Sequence, residues 1–232
     1  MSKIAMPQTS QPAQDLLWAA QHHGRILIPA MMNTMRILKK ANPGDAYYEN
    51  YLGMAKRYGD DFFDIYELMW AIGVFRAPKR ILEIGVRTGI SLCQLLSAHA
   101  DLASIERVVC VDPFDEWTSP NLVRSNLRYL NLPGDMPRIL AVKSEDFFPK
   151  CEETFDYVLV DGDHTKSVAR ADLEAVVPLV ERGGIILFDD ISTAPGECAL
   201  VDMWEDFKSE HAEEFFFAES MQGKGVGIAI KK

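Results

Sequence analysis

The chain has 232 residues, 48% of them hydrophobic, and 34 acidic against 24 basic side chains give a net charge of −10. This is enough apolar mass for one α/β core with an N-terminal elaboration, and the wrong charge balance for a nucleic-acid partner; Lys39-Lys40 and Lys231-Lys232 are isolated pairs. No basic-then-apolar leader, no apolar run of about 18 residues and no C-x-x-C among Cys93, Cys110, Cys151 and Cys198 argue against secretion and membrane insertion, and for a cytoplasmic protein with reduced thiols.

Residues 1–78 read as a helical extension ahead of an α/β unit over 79–232. Ser10-Gln11-Pro12 starts a helix by capping chemistry, and Asn42-Pro43-Gly44 breaks the chain. Asp60-Asp61 opens a further helix through Phe62, Phe63, Ile65, Tyr66, Met69, Trp70 and Ile72, ending near Pro78. Its apolar residues spread around the circumference, which predicts burial against the sheet or against a second copy in a homo-oligomer. Tyr47, Tyr48 and Tyr51 are candidates for a substrate pocket, although packing is the commoner role of such a cluster.

Residues 80–91 carry the strongest signal. Ile81-Leu82-Glu83-Ile84 fits a short buried parallel strand, Gly85 and Gly89 mark a sharp turn, and Ile90 to Leu96 opens a helix. Missing Cβ atoms at the two glycines predict close approach of a ligand. A bulky side chain at Gly85 is therefore expected to block that ligand and leave the fold intact. The spacing is G-x-x-x-G, not the G-x-G-x-x-G that seats a pyrophosphate, and Glu83 suits a cationic ligand better than a phosphate.

Arg107 to Asp112 is a second buried strand ending in an acid, 27 residues after Gly85 (112 − 85). A carboxylate there can accept hydrogen bonds from ribose hydroxyls, a device that NAD-binding folds place at about 20 residues. Arg138 to Val142 is the third strand. It leads into Lys143-Ser144-Glu145-Asp146, where Ser144 is also placed to cap a short helix. Phe155 to Val160 is the fourth strand, ending in Asp161-Gly162-Asp163-His164. A helix with Ala169, Leu173, Val176, Val177 and Val180 on one face follows, and Gly183-Gly184 is expected to stop it. Ile185 to Phe188 is the fifth strand, ending in Asp189-Asp190. If strands four and five are neighbours about 5 Å apart, Asp161 and the Asp189-Asp190 pair share one rim, where three carboxylates want a positive partner. Asp163 is assigned mainly to capping. Met203, Trp204 and Phe207 sit on a last helix. Glu214 to Phe217 and Gly225 to Ile230 form two final strands joined by Gln222-Gly223-Lys224.

Glu83-Ile84-Gly85-Val86-Arg87-Thr88-Gly89 resembles the first motif of class I S-adenosylmethionine-dependent methyltransferases. The resemblance covers residues 79 to about 191. It implies a Rossmann-like seven-stranded α/β sheet, mostly parallel with a C-terminal antiparallel hairpin, and a cofactor-binding methyltransferase domain over 79–232. It also implies cofactor contacts at Glu83, Gly85, Arg87, Gly89, Ser91, Asp112 and Asp161, with Ser144 and Glu145 bordering the adenine.

Asp161-x-x-His164 with Asp189-Asp190 resembles a narrower group, the divalent-metal-dependent O-methyltransferases. The catechol enzymes of that group place a lysine where His164 stands and an Asp-Asn pair where Asp189-Asp190 stands; macrolide-sugar enzymes are closer. This implies Mg²⁺ at Asp161, Asp189 and Asp190, His164 and Asp161 as catalytic residues, and a small-molecule acceptor with a sugar or natural-product hydroxyl. A hydroxyl is a poor nucleophile until its proton leaves, and an imidazole of ordinary pKa near ~6.5 could take it. Three other readings stand beside this one: a metal-independent methyltransferase, an NAD-type oxidoreductase opposed by Glu83 and the glycine spacing, and a non-catalytic cofactor-binding protein.

Overall fold

The computed structural model describes residues 11–58, 65–115, 118–191 and 200–232. Seven strands form one sheet: β1 (Arg80–Ile84), β2 (Arg107–Val111), β3 (Arg138–Leu140), β4 (Phe155–Val160), β5 (Val180–Asp189), β6 (Phe215–Ser220) and β7 (Val226–Lys231). Their order is β3-β2-β1-β4-β5-β7-β6, parallel from β3 to β5, with β7 antiparallel to both β5 and β6. This is the expected sheet.

Side-chain alternation along each strand sorts the core into two layers. Ile81, Val108, Cys110, Tyr157, Leu159, Ile185 and Leu187 face one side. Leu82, Ile84, Val109, Val111, Val158, Val160, Ile186 and Phe188 face the other. On the first side lie α1 (Pro12–His22), α2 (Gly24–Ala41), α3 (Ala46–Tyr58), α4 (Ile65–Phe75), α5 (Ile90–Ala98) and α6 (Pro120–Tyr129). On the second lie α7 (Ser144–Phe147), α8 (Lys166–Val176) and α9 (Val201–Glu210), with Trp204 and Phe207 fully buried. The N-terminal helices thus share one continuous core with the sheet. α4 is buried from Ile65 to Gly73, as its all-round apolar pattern requires. Ser10, Asp60, Asp61, Phe62, Phe63 and Cys198 lie outside the described residues.

Two local expectations are corrected. α8 ends at Val176, and Pro178 lies in a short 3-10 turn that leads directly into β5, so Gly183-Gly184 sits inside the strand. A register shift of β4 against β5 between Phe155 and Tyr157 accommodates it. Ser144 does not cap α7 either: Lys143 holds that position without a side-chain bond, and the Ser144 hydroxyl turns to Asp172 of α8. Among the described residues no helix is long and apolar enough to cross a membrane.

Candidate active site

The loops after β1, β2 and β4 are stitched together at the C-terminal rim of the sheet. Gly85 N–H donates to the Val111 carbonyl at 2.9 Å, and Asp161 N–H donates to the Ile84 carbonyl at 2.9 Å. Gly85 holds φ +86°, and a Cβ built on it would stand 1.8 Å from the Asp161 carbonyl oxygen. Gly89 holds φ +78°, and its Cβ would stand 2.8 Å from Val123 Cγ1 on α6. The two glycines are therefore demanded first by the chain's packing on itself. The expectation that a bulky residue at Gly85 blocks only a ligand is overturned by the Asp161 backbone.

Between these glycines Arg87 adopts φ +47°, and its N–H donates to Asp112 Oδ2 at 2.7 Å. Phe114 N–H donates to Asp112 Oδ1 at 2.6 Å, so both oxygens are oriented by backbone and keep lone pairs facing the cavity they line. The loop is also tied to the N-terminal helices. Buried Asn126 donates to the Thr88 carbonyl at 3.0 Å and accepts from Asn42 at 2.9 Å, and the Arg87 guanidinium lies 5.9 Å over the Tyr47 ring.

Glu83 points from β1 into the first layer, 2% exposed, with its carboxylate bonded by the Ser91 hydroxyl from the first turn of α5. Burial pushes its pKa up to about 8 against that hydrogen bond, and the Asp161 and Asp112 carboxylates add to the rise. A buried acid in anionic surroundings is a natural partner for a cationic ligand group. Ser144 and exposed Glu145 line the same cavity near the end of β3.

At the ends of β4 and β5, Asp161, His164 and Asp190 converge, with one ligand atom of each lying within 4.8 Å of the others. His164 Nε2 is 3.5 Å from Asp161 Oδ1 and 3.0 Å from Asp190 Oδ2. Asp190 is fully buried and adopts φ +63°, a left-handed conformation that Asp tolerates better than most residues. Its other oxygen lies 3.4 Å from Lys224 Nζ, in the turn between β6 and β7. Asp189, the last residue of β5, lines the same cavity but stands outside this group of three. Asp163 accepts from Thr165 N–H at 2.7 Å and so closes a local turn just ahead of α8, whose cap position is Thr165, rather than capping the helix itself.

The charges set one another's protonation. Asp161 and then Asp190 push His164 up to about 10, so the imidazole carries its proton at neutral pH and the ordinary value near ~6.5 does not hold in this arrangement. Burial raises the Asp161 carboxyl; it would raise Asp190 too, but His164 and Lys224 hold that carboxyl below its ordinary value. Burial acts to lower the Lys224 pKa, and the carboxylates of Asp190, Asp189 and Asp161 outweigh it. A buried carboxylate met by cationic side chains fits a hard divalent ion as well, so the donor set of Asp161 and Asp190, with His164, is chemically suited to Mg²⁺.

Most of these groups open on one cavity of about 1340 Å³, and Glu83 and Asp190 lie buried behind its wall. It holds Glu83's neighbours Gly85 and Ser91, then Asp112, Ser144, Asp161, His164 and Asp189. Sequence reasoning missed part of its wall. Tyr66 of α4 and Ile65 line it unanticipated, with the Tyr66 hydroxyl 2.8 Å from that of Tyr47 of α3; of the three tyrosine candidates Tyr47 lines the cavity, whereas Tyr48 and Tyr51 are buried in the core. Lys224 reads in sequence as a turn residue only. The signal that could have found it is the placement of the last strand beside β5, which sets the Gln222-Gly223-Lys224 turn against Asp190.

Residues 82–191 match a family model described as a methyltransferase domain. The chain is similar to the "Probable caffeoyl-CoA O-methyltransferase 3" of Dictyostelium discoideum, 28% identical over 114 residues, which is 49% of this chain and 44% of that protein. It thus spans less than half the length of that curated relative. Among solved structures it resembles an O-methyltransferase from Bacillus cereus in complex with SAH, with TM-score 0.63, 18% identity, and coverage of 92% of this chain and 96% of that one. It also resembles TomG of Streptomyces achromogenes in complex with SAM, with TM-score 0.58, 17% identity, and coverage of 100% and 93%. With the strand order and the glycine loop on β1, these likenesses show that the chain has the class I methyltransferase fold, and residues 82–191 are similar to a methyltransferase domain.

Proposed function

We propose that the chain transfers a methyl group from S-adenosylmethionine to a hydroxyl of a small molecule, a sugar or natural product, with a divalent cation such as Mg²⁺ at Asp161 and Asp190. The observation that carries this reading is one cavity lined both by the β1 and β2 loops and by Asp161 and His164, with buried Asp190 against His164 behind its wall. The curated relative's name points to oxygen as the methylated atom.

The roles follow from position. Glu83 and Ser91 meet the cationic methionine end of the cofactor, Asp112 accepts from the ribose hydroxyls, and Ser144 and Glu145 flank the adenine side. Bound S-adenosylmethionine supplies an electrophilic methyl on a sulfonium, and a divalent ion supplies charge stabilisation to a deprotonating hydroxyl. Asp161 and Asp190 hold that ion, with Asp189 on the adjoining wall. His164 takes the acceptor's proton. In this arrangement its carboxylate partners keep it protonated; a cation held by those carboxylates would lower its pKa and free the imidazole to accept a proton. Tyr47, Ile65 and Tyr66 hold the acceptor in line with the methyl, and in-line positioning accounts for much of the rate in such displacements.

A second reading, metal-independent transfer, is favoured by one observation: His164 and Lys224 already balance Asp161 and Asp190. Both readings are tested by incubating the protein with methyl-labelled S-adenosylmethionine and a panel of sugar and natural-product alcohols. The expected result is label on oxygen, lost after exhaustive chelation and restored by Mg²⁺. Full turnover in chelator selects the second reading, and label on no alcohol of the panel overturns the acceptor class.

A further inference from the structure

We propose that Lys224 is a built-in occupant of the cation position, whose ammonium competes with a divalent metal ion for Asp190. The inference rests on the reading of Asp161 and Asp190 as a metal site. Asp190 is fully buried and gripped from two sides, by His164 Nε2 at 3.0 Å on one oxygen and by Lys224 Nζ at 3.4 Å on the other. Both oxygens of Asp190 thus meet a protein cation before any ion arrives, with the Asp161 and Asp189 carboxylates nearby. A divalent ion on Asp190 would stand beside the ammonium, and like charges at such distances repel strongly where water is scarce. Either the ion binds weakly or Lys224 leaves.

Lys224 is placed by backbone pairing. β5 and β7 run antiparallel with Asp189 opposite Val226, and Ile191 N–H donates to the Gly225 carbonyl at 3.4 Å, which pins the turn against the residues that follow β5. The side chain is nonetheless 46% exposed and can swing away without disturbing that pairing. Gln222, Gly223 and Lys224 line the cavity, so a displaced ammonium stays on the wall that the acceptor meets. Metal loading and the position of this one lysine are therefore linked.

The test is Mn²⁺ binding to the whole chain at one fixed pH, read by electron paramagnetic resonance of the free ion. K224M and K224Q should each bind Mn²⁺ about tenfold tighter than the unaltered protein, or more. K224R, which keeps the charge, should stay within about threefold of it. K143M removes the same charge from a cavity lysine that pairs with Glu145 instead, and should also stay within about threefold. Thermal melting and binding of the demethylated cofactor establish that each variant is folded. Equal or weaker Mn²⁺ binding by folded K224M and K224Q overturns the competition and leaves the metal reading standing. Absence of Mn²⁺ binding in all of them at millimolar ion overturns both.

Discussion

Gly85 lies directly against the Asp161 carbonyl, so the turn that opens the cofactor cradle and the strand that delivers the first carboxylate of the cation group share one contact. A Cβ on Gly85 would stand 1.8 Å from that oxygen. The two halves of the site cannot be altered separately at this point.

Gly85→Ala is accordingly expected to act on the fold. Positive φ and forced overlap with backbone together cost about 2–5 kcal/mol, seen as a lowered melting temperature in the cofactor's absence. An unchanged melting temperature would show that the β1 and β4 ends separate without cost.

Glu83 is expected to make cofactor binding depend on pH. Its pKa is pushed up to about 8, so near neutrality the acid is mostly protonated, while a cationic ligand favours the ionised form. Binding should therefore release a proton, and affinity for S-adenosylmethionine should fall as pH drops below 8, by at most about tenfold per unit. Calorimetry in buffers of different ionisation enthalpy reads the proton directly. Glu83→Gln should flatten the profile between pH 6 and about 8; a pH slope that survives in Glu83→Gln assigns the linkage to another group.

Asp112 serves two masters. Its oxygens accept from Arg87 and Phe114 N–H at 2.7 and 2.6 Å, and the ribose is expected to share them. Asp112→Ala should weaken cofactor binding by about 1.5–3 kcal/mol, the scale of charge-assisted hydrogen bonds. Isothermal titration measures it, and a loss of a few tenths would leave the acid with a purely structural task.

His164→Ala should lower turnover by about 10²–10⁴-fold, the range of a general base, with affinity for the demethylated cofactor unchanged. Single-turnover assays at saturating acceptor separate the two. A loss below about threefold would place proton removal on another group.

What was legible in the sequence is what is local. The β1 strand, its G-x-x-x-G turn and α5 follow from adjacent residues, as does the i,i+3 spacing that brings His164 to Asp161. The C-terminal hairpin was legible from its two apolar runs. Lys224 and Tyr66 were not, because they reach the cavity through sheet order and through the packing of α4. The grouping of Asp190 rather than Asp189 with His164 was also hidden, since it turns on a left-handed φ at residue 190 that no apolar pattern encodes. The end of α8 was misplaced for a related reason: Val177 and Val180 keep the helical spacing, while Pro178 has already diverted the backbone.

That φ of +63° at Asp190 has a consequence for variation at the site. Glycine, asparagine and aspartate are the residues that most readily take such a conformation, and only the last two present an oxygen to a cation. Position 190 thus behaves as a two-setting charge dial. Switching Asp to Asn keeps the backbone and an oxygen donor but removes one negative charge, retuning every cation that competes there without redrawing the pocket.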